Sequence, residues 1–156
     1  MKPYFFGVAM KHLLSLICLM FITQVDLFAA NHTVKMLNQG AAGVMIFEPA
    51  FLKINTGDSV TFEATDAAHN SASIPGMIPS GGPSWNSALS KDITVTFDTP
   101  GIYGYQCTPH SMMAMVGVIQ VGNDASNLDA ATKAANSFKS VFVMNKNRLD
   151  DLLAEI

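Results

Sequence analysis

Cys107, His110 and Met115 fall in one short stretch, Cys107-Thr-Pro-His110-Ser-Met-Met-Ala-Met115. A thiolate, an imidazole and a thioether held in a single loop form a soft donor set, which suits copper cycling between Cu(I) and Cu(II). Two histidines and one cysteine in a trigonal set, with a long axial methionine, are the blue-copper arrangement. The loop supplies three of those four donors. The fourth has to come from upstream, and His69 is the candidate.

Taken singly, each of these residues has a plainer explanation. A lone cysteine in an apolar domain is usually a small buried hydrophobe, a single histidine a turn residue, and a methionine ordinary core in a chain with 10 of them. Together they argue otherwise, because Cys-x2-His-x4-Met sits directly between two expected strands while His69 lies at the end of another extended segment. Four protein donors leave no open position for a substrate, which fits electron transfer better than catalysis. Cys107 as nucleophile with His110 as base is the enzymatic alternative. No third orienting residue and no oxyanion motif accompanies that pair, so no enzymatic activity is expected. Asn70, next to His69, is placed to hydrogen-bond across to the loop and tie the two ligand segments together.

Such donors need a rigid frame. Alternating or apolar runs at Thr33–Leu37, Val44–Phe47, Phe51–Ile54, Val60–Glu63, Ser71–Ile74, Ile93–Phe97, Ile102–Cys107 and Val116–Val121 read as short strands. Turns are expected at 38–43, at Thr56-Gly57-Asp58 and at Thr99-Pro100-Gly101, and the Pro- and Gly-rich residues 75–90 form a long loop carrying Trp85. Short strands punctuated in this way predict an all-β sandwich. After Gly122 the composition changes. Leu128–Ala135 and Phe138–Ala154 lack Pro and Gly, and Val141, Met144, Leu149 and Leu152 fall near helical spacing. Two C-terminal helices laid on the sandwich are expected, with Asn127 and Ser137 as N-caps.

The 156 residues, nearly half of them apolar, suit one domain with a real core. The start of the chain stands apart. Lys2, Lys11 and His12 precede Leu13–Ile22 (LLSLICLMFI), and Ala29-Ala30 follows a polar stretch. That is the layout of a secretory signal peptide, with an apolar run too short to span a membrane. The expected organisation is a signal peptide over 1–29, cleaved after Ala29, a sandwich over 30–122, and helices over 123–156 packed on the same domain. Cleavage removes Cys18 and leaves Cys107 as a lone thiol, a liability in an oxidising compartment that metal ligation would remove. Of the remaining histidines, His32 lies before the first expected strand and is a poor ligand candidate. Seven basic and eleven acidic side chains remain, a net charge of −4. No basic patch speaks for nucleic acid, and no membrane association is expected after cleavage.

MLNQG at 36–40, FEPA at 47–50, GDSVTF at 57–62, TD-x-x-HN at 65–70, GMIP at 76–79, PGIYGYQCTPH at 100–110 and MVGVIQVG at 115–122 together resemble the pseudoazurins of the cupredoxin family. The likeness covers essentially all of the chain beyond the leader, and the helical segments after residue 127 distinguish this group from plastocyanin-like relatives. The resemblance implies a cupredoxin-like Greek-key β-sandwich with two C-terminal α-helices. It implies one type 1 copper held by His69, Cys107, His110 and Met115. Met112 and Met113 compete on paper for the axial place, but the spacing of Met115 matches the family and leads directly into the last strand.

The resemblance further implies a monomeric, periplasmic one-electron carrier serving copper nitrite reductase in denitrification, with cytochromes or other reductases as further partners. Electrons are expected to pass through the exposed edge of His110, inside an apolar collar of Pro109, Met113, Ala114, Met45 and Met77. Two departures stand out. Met112 and Ala114 occupy places where pseudoazurins usually have glycine. Gln39, Ala67 and Gln106 stand where lysines usually ring the copper-proximal edge, which weakens the electrostatic part of docking. The additional methionines favour Cu(I) and keep copper storage or delivery as the alternative function.

Overall fold

The computed structural model describes residues 29–156, so the signal-peptide expectation lies outside the described residues except for Ala29. Eight strands follow: β1 (Asn31–Gly40), β2 (Gly43–Glu48), β3 (Phe51–Ile54), β4 (Ser59–Glu63), β5 (Ala72–Ser73), β6 (Ile93–Thr96), β7 (Gly101–Gln106) and β8 (Val116–Val121). They form two four-stranded sheets, ordered β2-β1-β4-β6 and β3-β8-β7-β5. Two pairings are parallel, β1 with β4 and β3 with β8, and the others are antiparallel. The expected turn at 38–43 is shorter than the Gly-rich sequence indicates. β1 continues through Asn38 and Gln39 to Gly40, because Gln39 and Gly40 pair with Val44 and Gly43 across the hairpin.

Two apolar layers hold the molecule together. Val34, Met36, Phe47, Phe62, Trp85, Phe97, Tyr103, Tyr105 and Ile119 fill the space between the sheets. Their rings meet edge-on or stacked: Phe47 lies 4.7 Å from Tyr105, and Phe62 lies 5.6 Å from Trp85. Such pairs contribute about 0.5–1.5 kcal/mol beyond the area they bury. The second layer lies on the outer face of the β3-β8-β7-β5 sheet, where Ile102, Val116 and Val118 pack against Ala131, Ala135, Phe142, Leu149 and Leu152. β8 therefore alternates between the two layers, and all six of its residues are buried. That explains why VGVIQV is almost uniformly apolar. Gly117 is required where it stands, since a Cβ there would overlap the Tyr105 ring.

The outer layer is covered by α1 (Leu128–Phe138), a single 3-10 turn over Lys139–Val141, and α2 (Arg148–Leu153). The expected second helix, Phe138–Ala154, is broken. Phe142 leaves the helical region at ψ 122°, and Asn145 is left-handed at φ 51°. Tertiary bonding overrides the helical pattern here, because the Val143 N–H donates to the Met112 carbonyl at 2.8 Å instead of to its own helix. The two expected caps are corrected as well. Asn127 does precede α1, but its amide pairs with both backbone groups of Ile102 at 2.8 and 2.9 Å. Ser137 lies inside α1, and its hydroxyl bonds back to the Lys133 carbonyl.

Candidate metal centre

Strand pairing creates the site. β5 is only two residues long, yet its antiparallel pairing of Ala72 with Gln106 and Ser73 with Tyr105 lays His69-Asn70 alongside Cys107-Thr108. The loop that follows Cys107 is a 3-10 turn over Thr108–Met113, opened by Pro109 and closed by Ala114 in the left-handed region at φ 55°. The Cys107 N–H donates to the Met115 carbonyl at 2.9 Å, so the loop ends meet again at the start of β8. On the other side, Trp85 anchors the histidine segment. Its indole N–H donates to the Ser71 hydroxyl at 2.9 Å, two residues beyond His69.

Three of the expected donors converge. The Cys107 Sγ lies 3.6 Å from His69 Nδ1 and 3.3 Å from His110 Nδ1. The three donor atoms fall within 4.8 Å of one another. Met115 is fully buried in the same inter-sheet cluster as Cys107. His69 and Cys107 are also fully buried, whereas His110 is only partly so. Asn70 bridges the two segments as its position indicated. Its Oδ1 accepts from the Thr108 N–H at 2.8 Å, and its Nδ2 reaches the Thr108 hydroxyl at 3.3 Å.

Burial acts on the two buried donors in opposite ways. Burial, followed by the neighbouring His110, holds the His69 imidazole below its ordinary pKa, with Asp66 acting the other way. The ring therefore stays neutral and keeps a lone pair to donate. Burial pushes the Cys107 thiol up, opposed by the N–H groups of Asn70 and His110. A thiol in that condition releases its proton when a cation binds, which makes metal loading pH-dependent.

Sequence reasoning missed Asn38. It lies at the far end of β1, in the opposite sheet, and its Oδ1 is 3.0 Å from His69 Nε2. With Nε2–H donating there, Nδ1 is left bare and aimed at Cys107, the arrangement expected of a metal-binding histidine. Asn38 is itself fixed, its N–H donating to Asp66 Oδ2 at 2.7 Å. Asn38 belongs to the MLNQG stretch, but it is 31 residues from His69 and only the sheet topology joins them. The expected collar is revised too. Met77 and Ala114 are fully buried in the outer apolar layer, whereas Met112 is 57% exposed and is flanked by exposed Val143 and Met144.

The chain can now be set beside known proteins. Residues 34–122 match the copper binding proteins of the plastocyanin/azurin family. A pseudoazurin of Paracoccus pantotrophus is 43% identical over 129 residues, 83% of this chain and 86% of that protein. A putative pseudoazurin of Rhizobium leguminosarum bv. viciae is 47% identical over 131 residues, 84% of this chain and 83% of that protein. This chain belongs to the pseudoazurins. The refined crystal structure of pseudoazurin from Methylobacterium extorquens AM1 agrees with it in fold, with a TM-score of 0.71 at 40% identity, covering 80% of this chain and 98% of that one. Pseudoazurins and plastocyanins carry electrons and do not turn over a substrate. The chain is accordingly a blue copper electron carrier, not an enzyme, and its cofactor is one type 1 copper. A buried thiol between two imidazoles, with a buried thioether in the same cluster, is a donor set that fits this metal.

Proposed function

We propose that His69, Cys107, His110 and Met115 hold the copper, and that the processed chain is a monomeric periplasmic one-electron carrier between respiratory donors and reductases. The carrying observation is the convergence of two imidazole nitrogens on one buried thiol, at 3.6 and 3.3 Å. When bound, copper supplies a single electron by alternating between Cu(I) and Cu(II). The protein does the rest. Asn38 and Asn70 hold the histidine and cysteine segments in place, and full burial of His69, Cys107 and Met115 excludes water. A frame that does not move between the two charge states adds little reorganisation to the transfer.

His110, the one partly exposed donor, is the proposed exit for the electron. Exposed Pro109 and Met112 and half-buried Met113 lie around it, the kind of small apolar surface that supports brief docking. Kinship with pseudoazurins supports copper nitrite reductase as an acceptor, with cytochromes among the other partners. Residues 1–29 would serve as the leader for export, in keeping with the secretory layout of their sequence. Among the described residues no helix is long and apolar enough to cross a membrane.

The test is to load the protein with Cu(II) and mix it with dithionite, and then to mix the reduced form with copper nitrite reductase. A blue protein that bleaches, and is reoxidised by the reductase in the presence of nitrite, is the expected result. A colourless Cu(II) complex would refute the ligand set, and a blue protein inert toward the reductase would refute only the partner. The exposed thioether of Met112 favours a second reading, delivery of Cu(I). That reading requires copper to leave within minutes when a chelator is added, which a closed four-donor site resists.

A further inference from the structure

Arg148, the first residue of α2, carries a charge that no carboxylate balances; among the described residues no acidic side chain forms a salt bridge with it. Its Nη1 instead donates to two carbonyl oxygens, those of Met45 and Ala114, each 2.9 Å away, and Nη2 approaches the Val44 carbonyl at 3.5 Å. Met45 and Ala114 have a feature in common. Both are non-glycine residues in the left-handed region, at φ 49° and 55°. That conformation is unfavourable for a residue with a Cβ, and it persists only where the surroundings hold it. In each case the carbonyl of the left-handed residue faces the same guanidinium nitrogen. Ala114 directly precedes Met115 and closes the turn that carries His110. Met45 lies in β2, in the other sheet.

We propose that Arg148 is a positioning residue of the metal centre, its guanidinium clamping the Met45 and Ala114 carbonyls so that the turn between His110 and Met115 is set against the β1–β2 hairpin, while its charge favours the reduced site. The inference rests on the ligand set proposed above. Its two parts are separable. The clamp fixes where the backbone enters Met115. The charge acts on the equilibrium, because a fixed cation opposes the state of higher positive charge, which is the oxidised one. Lysine carries the charge without the rigid fork of donors. Methionine fills similar space with neither.

The experiment uses Arg148→Met and Arg148→Lys. In the copper-loaded proteins the readouts are the electron-exchange equilibrium with a mediator of known potential and the shape of the blue absorption band. In the metal-free proteins the readout is hydrogen exchange at the Ala114 and Met115 amides. Arg148→Met is expected to shift the equilibrium about three- to tenfold toward the oxidised form, tenfold being about 59 mV for one electron. It should also alter the band and speed the two amides by about tenfold. Arg148→Lys is expected to hold the equilibrium within about twofold while still altering the band and the exchange. An Arg148→Met protein with unaltered equilibrium, band and exchange overturns the proposal, whatever its melting temperature. If Arg148→Met does not fold, Arg148→Lys decides alone, and an unaltered band with unaltered exchange overturns it. If the unsubstituted protein forms no blue complex, the ligand set fails, and amide exchange in the metal-free proteins still decides the clamp.

Discussion

Asn70→Ala tests whether a single amide joins the two halves of the metal centre. Asn70 is 5% exposed. Its Oδ1 takes the Thr108 N–H at 2.8 Å, and its Nδ2 reaches Asn86 Oδ1 at 3.0 Å and both the Ser87 carbonyl and the Thr108 hydroxyl at 3.3 Å. Truncation removes all four contacts. Thr108 and Asn86 are exposed residues, so water takes over there, and each loss is a net hydrogen bond of about 0.5–1.5 kcal/mol. Ser87 is buried, and its carbonyl losing this donor adds about 1 kcal/mol or more. The total is about 2.5–5.5 kcal/mol, which at about 3–4 °C per kcal/mol for a domain of this size lowers the melting temperature by about 8–22 °C. Thermal and urea unfolding of the metal-free protein measure it directly, with no contribution from copper. Asn70→Asp should lose nearly as much, because it keeps the acceptor for Thr108 but turns an oxygen toward the Ser87 carbonyl. A stability within about 0.5 kcal/mol of the unaltered protein for Asn70→Ala would refute the reasoning and leave the β5–β7 pairing and the Asn70 N–H contact to Cys107 Sγ to join the two segments.

Three further outcomes are expected. Burial pushes the Asp58 carboxyl up, but the Ala30 N–H, the His32 ring and the Asn55 N–H outweigh it and hold it below its ordinary value. A carboxyl lowered on folding contributes stability that is complete above its unfolded value of about 3.9 and lost as pH falls through its folded value. The urea midpoint of the metal-free protein should therefore drop below about pH 4, and an acid limb just as steep in Asp58→Asn would contradict this. Gly117→Ala should cost about 1–3 kcal/mol or more by driving a methyl into the Tyr105 ring; urea unfolding checks it, and a loss under about 0.5 kcal/mol tells against the packing described. Met112→Ser should leave stability within about 0.5 kcal/mol and the blue band unmoved, since Met112 is 57% exposed. A changed band there would move the axial role from Met115 to Met112.

What the sequence disclosed was the part written in short range. The Cys-His-Met loop and the strands either side of it depend on neighbouring residues or on period-two patterning, while the Asn70 bridge, which spans 38 residues to Thr108, was legible because Asn70 adjoins the candidate ligand His69. What it hid was long range. Asn38 acts on a histidine 31 residues away, in the loop between β4 and β5, and Arg148 reaches carbonyls 34 and 103 residues away. Nothing in local spacing marks either one. The unbroken second helix failed for a related reason. Residues 138–154 have helical composition, but the backbone at Val143 bonds to the ligand loop, and that bond outweighs propensity. The buried positions of Met77 and Ala114 were likewise invisible, because the layer that covers them comes from α1 and α2.

The division of the interior into two apolar layers has an optical consequence. Trp85 is the chain's one tryptophan, and it sits in the layer between the sheets, stacked on Phe62. The layer beneath the helices contains no indole. Tryptophan emission during denaturation therefore reports the sandwich alone, while far-ultraviolet circular dichroism weights the helices. If both signals move at one denaturant concentration, the helical cover and the copper-bearing sandwich unfold as a single cooperative unit. If dichroism moves first, the cover peels away while the indole is still in its apolar surroundings, and the segment that braces the ligand loop is lost before the loop itself.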